Sequence, residues 1–160
     1  MRHKQVLTFD GGGIKGVAST TWLSELVKKK LVNLDNIFAV SGTSTGSIIA
    51  AALAKPSPFS PDDITDLYKE LSPKIFKRSW WTPKILDVIV FSAPYDIRKL
   101  ENALKHHFGN TKVGDCPKKF VIPIWDLFGM HRGERASTVL MVNNFSGGVY
   151  EEYLDWPLYK

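Results

Sequence analysis

The sequence predicts an α/β domain, a three-layer α/β/α sandwich around a partly parallel central sheet. Three observations carry that prediction. Short apolar runs alternate with segments of helical periodicity along the chain, the pattern of layered α/β domains. Two glycine-rich turns, Asp10–Gly16 and Gly42–Gly46, each follow a strand and open a helix. The length of 160 residues, 44% hydrophobic and 23% charged, suits one globular domain that buries roughly 68–70% of its unfolded surface.

Gln5–Phe9 is the first strand. From Gly16 to about Leu31, the residues Trp22, Leu23, Leu26, Val27 and Leu31 recur at helical spacing and predict an amphipathic helix. Ile37–Ser41 is a second short strand, and Ser47–Ala54 is apolar all round, which predicts a helix buried on more than one side. Ser60-Pro61-Asp62-Asp63 is a helix start, with a capping serine, proline at the first position and acids in the first turn. Ile64, Leu67, Tyr68 and Leu71 mark its inner face. Asp96 caps a further helix carrying Ile97, Leu100, Leu104 and Phe108, stopped by Gly109. Phe120–Trp125 and Ala136–Val142 are two further strands. Lys55–Pro61 and Arg78–Pro83 are loops punctuated by proline.

The charge is +5, which favours anionic partners. It is scattered, however, and the run Lys28-Lys29-Lys30 suits a helix end and its macrodipole; nucleic acid is not an expected partner. The single cysteine, Cys116, leaves no internal disulfide and fits a reducing compartment. The start MRHKQ leads straight into a strand without an apolar leader, and no run reaches the roughly 20 apolar residues of a membrane span. A cytoplasmic protein, peripheral at membranes, is the expectation.

The two glycine clusters belong together. A strand–helix–strand crossover is right-handed and makes its two strands parallel, so both turns lie at one sheet edge. Gly42-Thr43-Ser44-Thr45-Gly46 has the form of a nucleophile elbow, in which a serine sits on a strained strand-to-helix turn flanked by small residues. Acyl transfer also needs donors aimed at the oxyanion. Gly11, Gly12 and Gly13 expose backbone N–H groups with no side chain in the way. Ser44 is thus the candidate nucleophile and Gly11–Gly13 the candidate oxyanion hole. Gly11, Gly13 and Gly16 also satisfy a dinucleotide pattern. That pattern wants an acid at the end of the second strand, yet Asp35 precedes the strand and Ser41 ends it.

On these residues the chain resembles the patatin-like phospholipases. Asp10–Gly16 is similar to that family's D-G-G-G-x-R-G loop, with Lys15 where arginine is usual, and Gly42–Gly46 to its G-x-S-x-G. Asp10, Lys15, Gly16, Gly42, Thr43, Thr45 and Gly46 support the motifs. Weaker similarity covers Pro61–Phe76, Tyr95–Gly114 and Val121–Leu127. The resemblance implies a serine-dependent lipid acyl hydrolase of phospholipase A or esterase type. It would cleave fatty-acyl esters through a Ser–Asp dyad, with no cofactor, histidine or metal. The partners it implies are a lipid ester substrate and a membrane surface.

The family's aspartate lies in a D-G-[GA] motif, and none follows Ser44: the later glycine pair Gly147-Gly148 follows Ser146. Residues 1–160 therefore read as the N-terminal part of a patatin-like domain, incomplete at the C-terminus and weak or inactive as it stands, since a serine needs an adjacent base. Asp126 and Asp155 have no motif in their favour, and His106 and His107 end a helix. Ser44, Asp96 and His131 have the order of a triad, but Asp96 reads as a helix cap. Ile75–Phe91 mixes Phe76, Trp80 and Trp81 with Lys77 and Arg78, a composition that either fills core or meets a membrane interface. Cys116 reads as structural. The competing function is a non-catalytic lipid- or nucleotide-binding module that uses the glycine-rich loop.

Overall fold

A computed structural model of the chain describes residues 4–75, 97–126, 130–131, 134–135, 138–145 and 151–159. Asp96, the Ile75–Phe91 aromatic stretch beyond residue 75, Ala136 and Gly147-Gly148 lie outside them.

The fold is α/β, with a mixed four-stranded sheet at its centre. Strand β1 (Gln5–Phe9) lies parallel to β2 (Ile37–Gly42), and β2 parallel to β3 (Lys119–Asp126). The fourth strand, which we label β6 (Thr138–Asn143), runs antiparallel to β3 at the edge. Between them in the chain, β4 (Met130–His131) pairs antiparallel with β5 (Glu134–Arg135). The helices are α1 (Gly16–Lys28), α2 (Thr45–Ala54), α3 (Pro61–Ile75) and α4 (Ile97–Phe108).

The core sits between the sheet and α2. Successive strand residues point to opposite faces, and Phe9, Val40, Phe120, Leu140 and Val142 are buried on the face toward α2. That helix is apolar all round, as expected, and Ile49–Ala54 are all buried. It can lie so close because Gly42 and Gly46 have no side chains: a Cβ on Gly46 would stand 2.3 Å from the Phe9 carbonyl oxygen.

Helix α3 starts on a reciprocal cap. Ser60 N–H donates to Asp63 Oδ2 at 3.0 Å and Asp63 N–H donates to Ser60 Oγ at 3.1 Å. Ile64, Leu67, Tyr68 and Leu71 are buried, as their spacing predicts. Gly109, at φ +58°, ends α4 in the left-handed conformation that glycine accepts without strain.

Helix α1 departs from the expectation in two ways. It ends at Lys28 rather than near Leu31, and its predicted stripe is only partly inward: Trp22 is 68% and Leu31 71% exposed, while Leu23 is buried. The inward face is instead Gly16, Thr20, Leu23 and Ser24. These meet α3 through polar contacts. Thr65 Oγ1 donates to Thr20 Oγ1 at 2.7 Å, and Ser24 Oγ donates to Asp62 Oδ1 at 2.6 Å. Small hydroxyl residues let the two helices approach, so apolar periodicity picked the wrong side for Trp22.

Candidate functional site

The parallel register pairs Phe9 with Gly42, so the glycine loop and the serine turn leave the sheet at one edge. They are laced together. Thr43 N–H donates to the Phe9 carbonyl at 3.1 Å. Gly11 N–H donates to Thr43 Oγ1 at 2.9 Å, and Gly12 N–H to Thr45 Oγ1 at 3.3 Å. The two threonines that flank Ser44 thus hold the loop on either side of it.

Ser44 has φ 50° and ψ −124°, a conformation that costs a non-glycine residue of order 1–3 kcal/mol. The surroundings enforce it. On one side Gly42 and Gly46 close on each other, with a Cβ at Gly42 only 2.1 Å from the Gly46 oxygen. On the other, a Cβ at Gly11 would stand 2.9 Å from Ser44 Cβ, so glycine is what allows the loop to touch the serine. Ser44 is the N-cap of α2, and the positive end of that helix favours negative charge there. Ser47 Oγ donates to the Ser44 carbonyl.

Gly13, at φ +61°, begins a 3-10 turn through Lys15 that leads into α1 at Gly16. Asp10 and Lys15 are exposed. Gly16 is pressed against Tyr68, whose ring would stand 2.2 Å from a Cβ there. Tyr68 OH donates to the Thr45 carbonyl, and burial pushes its phenol up to about 12. Tyr68 therefore ties α3 to the starts of both α1 and α2. Sequence periodicity identified it only as an inner-face residue; its hydroxyl gave no further signal.

No carboxylate or imidazole hydrogen-bonds to Ser44 among the described residues. Asp155 pairs with Lys112 at 2.8 Å, which holds its carboxyl below the ordinary value. His107 lies 3.5 Å from Glu70 and packs edge-on against Phe59. His131 falls in β4, and Asp126 ends β3. Cys116 is buried, and burial pushes its thiol up to about 12, which suits a structural role.

A cavity of about 540 Å³ opens beside the serine. Ser44, Thr45 and Ser47 form its polar end. Its walls are mostly apolar, with Ile48 and Ala51 of α2, Leu100 and Leu104 of α4, and Ile122 and Ile124 of β3; exposed Glu101 of α4 is the one carboxylate that lines it among the described residues. The sequence identified these residues only as parts of helices and a strand; nothing in their spacing pointed to a shared cavity. No helix among the described residues is long and apolar enough to cross a membrane.

The family model of the patatin-like phospholipases matches residues 7–153. Patatin-like protein 2 of Oryza sativa subsp. indica is 34% identical over 138 residues, covering 76% of this chain and 34% of that protein. Patatin-like protein 4 of Arabidopsis thaliana is 33% identical over 137 residues, with 76% and 34% covered. The chain spans about a third of the length of the curated relatives it matches. Among solved structures, full-length ExoU in complex with SpcU, from the type III secretion system of Pseudomonas aeruginosa, aligns with a TM-score of 0.44 and 21% identity. That alignment covers 85% of this chain and 34% of that one.

Proposed function

The chain belongs to the patatin-like phospholipase family, and from that premise we propose that it carries the nucleophile half of a lipid acyl hydrolase. Ser44 Oγ attacks the carbonyl carbon of a fatty-acyl ester. The carbonyl oxygen becomes an oxyanion facing the Gly11–Gly13 backbone. Its collapse breaks the ester C–O bond, the alcohol leaves carrying the serine's proton, and water then hydrolyses the acyl-serine to the free acid and Ser44. The observation that carries this reading is the strained Ser44 in contact with Gly11 at the N-terminus of α2. The apolar cavity beside it suits the acyl chain.

The two threonine bonds divide the work of the loop. The shorter one, Gly11 to Thr43, keeps loop and elbow in register. The longer one, Gly12 to Thr45, is the bond exchanged when an oxyanion arrives. Removing one such donor typically costs about 10²–10³ in rate. Residues 1–160 hold no D-G-[GA] after Ser44, so by themselves they turn over esters at little above background. The substrate is met at a membrane surface, on the cytoplasmic side.

An alkyl fluorophosphonate tests the reading. A Ser44-dependent adduct, lost in Ser44→Ala, is the expected result. The absence of an adduct even in a protein extended to the relatives' length would leave the second reading, a lipid-binding module without catalysis. That reading is favoured by the occupied Gly11 and Gly12 amides.

A further inference from the structure

The cavity beside Ser44 has a far end, and residues 156–159 line it. Strand β3 runs parallel to β2, so Phe120 near its start lies toward the opposite sheet edge from Ser44. Helix α2 runs back from Ser44 in the same sense, bringing Ile48 and then Ala51 to the wall. From Ser44 to Ala51 is about 10 Å along the helix, and from Ile124 to Phe120 about 13 Å along the strand.

Asn144 joins that far end to the turn after α4, since its Nδ2 donates to the Cys116 carbonyl at 2.8 Å and its Oδ1 accepts from Phe120 N–H at 2.9 Å. There the segment 154–159 is fastened to residues 111–114. Gly114 N–H donates to the Leu154 carbonyl and Val113 N–H to the Trp156 carbonyl, both at 2.8 Å; Leu158 N–H donates to the Thr111 carbonyl at 2.9 Å. Lys112 and Asp155 add an ion pair at 2.8 Å, and Lys112 bridges Pro157 in antiparallel fashion. Tyr153, buried, packs edge-on against Trp156 with ring centroids 4.6 Å apart. Tyr159 lies under Lys105 of α4, whose Nζ is 5.4 Å from its ring centre. A segment held by three backbone bonds and an ion pair is a wall, and Trp156, Leu158 and Tyr159 line the cavity.

We propose that residues 154–159 are the floor of the acyl-chain site, and that the side chains of Trp156 and Leu158 set the longest chain it accepts. This rests on the acyl-ester reading of Ser44. A chain whose carboxyl end sits at Ser44 runs between α2, α4 and β3 until it meets these two side chains. Longer chains must displace the floor or fold back toward the mouth. Truncating either side chain opens the cavity at its far end, where an extra turn of chain can then be buried.

The test is displacement of a fluorescent fatty acid by decanoate and by palmitate, on the 160-residue protein and on Leu158→Ala and Trp156→Ala. Circular dichroism and melting identify the variants that fold. Leu158→Trp serves as a third variant that fills the floor, and Trp125→Ala as a control on the opposite sheet face. The expected result is a palmitate-to-decanoate affinity ratio that rises fivefold or more in the alanine variants and falls in Leu158→Trp, with Trp125→Ala unchanged. A ratio unmoved in every folded floor variant while decanoate still binds overturns the floor and leaves the acyl-ester reading standing. So does an equal shift in Trp125→Ala. If neither acid binds the unmodified protein, the floor falls together with the acyl-chain reading of the cavity.

Discussion

The two faces of the central sheet come from the same strands and end in different surroundings. On the face toward α2, Val40 and Phe120 are 1% and 0% exposed. On the other, Trp125 is 62%, Val6 54%, Val139 44% and Met141 43% exposed. Both faces are apolar, yet the serine, the glycine loop and the cavity all border the α2 side. Parallel strands buried on both faces read as continuous hydrophobic runs, and FVIPIW in β3 is such a run. Apolar composition alone does not mark where the candidate site forms; it lies on the face where α2 meets the strand ends.

The two faces should differ most under side-chain truncation. Phe120→Ala should cost about 3–5 kcal/mol, whereas Trp125→Ala should stay within about 1 kcal/mol. Urea melts of both variants measure the gap, and equal losses would erase it. Next comes the helix approach on the site face. Gly46→Ala pushes a Cβ to 2.3 Å from the Phe9 carbonyl, and overpacking of this kind should cost about 1–3 kcal/mol with loss of any Ser44 labelling. A variant that melts and labels normally would show that α2 need not sit so close.

A smaller effect sharpens the role of the helices beyond the sheet. Tyr68→Phe removes the bond to the Thr45 carbonyl and should cost about 1–2 kcal/mol. Burial raises the Tyr68 phenol from 10.0 to about 12, so the folded state holds its proton more tightly than the unfolded one. The stability so gained is present below pH 10 and is lost as pH rises through 12. Native protein should therefore lose more stability than Tyr68→Phe between those values; parallel alkaline losses would refute the assignment.

The smallest effect concerns the ion pair on the cavity floor. Lys112 lowers Asp155 below its ordinary 3.8, and Asp155 raises Lys112 above 10.5. The carboxylate's contribution is present above 3.8 and lost as pH falls through its lowered value. The ammonium's is present below 10.5 and lost as pH rises through its raised value. Both groups are solvent-exposed, so Asp155→Asn should shift the neutral-pH melting temperature only slightly, and not at all once pH is below the lowered value. A large shift at pH 7 would mean that the pair holds more than its own segment.

Much of the candidate site's geometry was legible because glycine is informative twice over, through its torsional freedom and through the close approach it permits. Gly11, Gly42 and Gly46 each stand where a Cβ would collide, and the crossover rule alone put both loops at one edge. The strands around the core were legible too, within two residues at each end. Trp22 was not, because the α1–α3 contact uses Thr20, Ser24 and Thr65, residues that apolar periodicity passes over. The threonine lacing was not legible either, since it depends on the facing of two turns some thirty residues apart. Nor was the cavity floor, whose backbone pairing with residues 111–114 leaves no pattern in the residue types.

The most direct measurement is the structure of the protein after phosphonylation at Ser44, extended if necessary until it labels. The phosphonyl oxygen should lie about 2.7–3.1 Å from at least two of the Gly11, Gly12 and Gly13 nitrogens, with the Gly12–Thr45 bond broken. An oxygen turned toward solvent, with the Gly12 amide still bonded to Thr45, would contradict the assignment of this loop as the oxyanion hole.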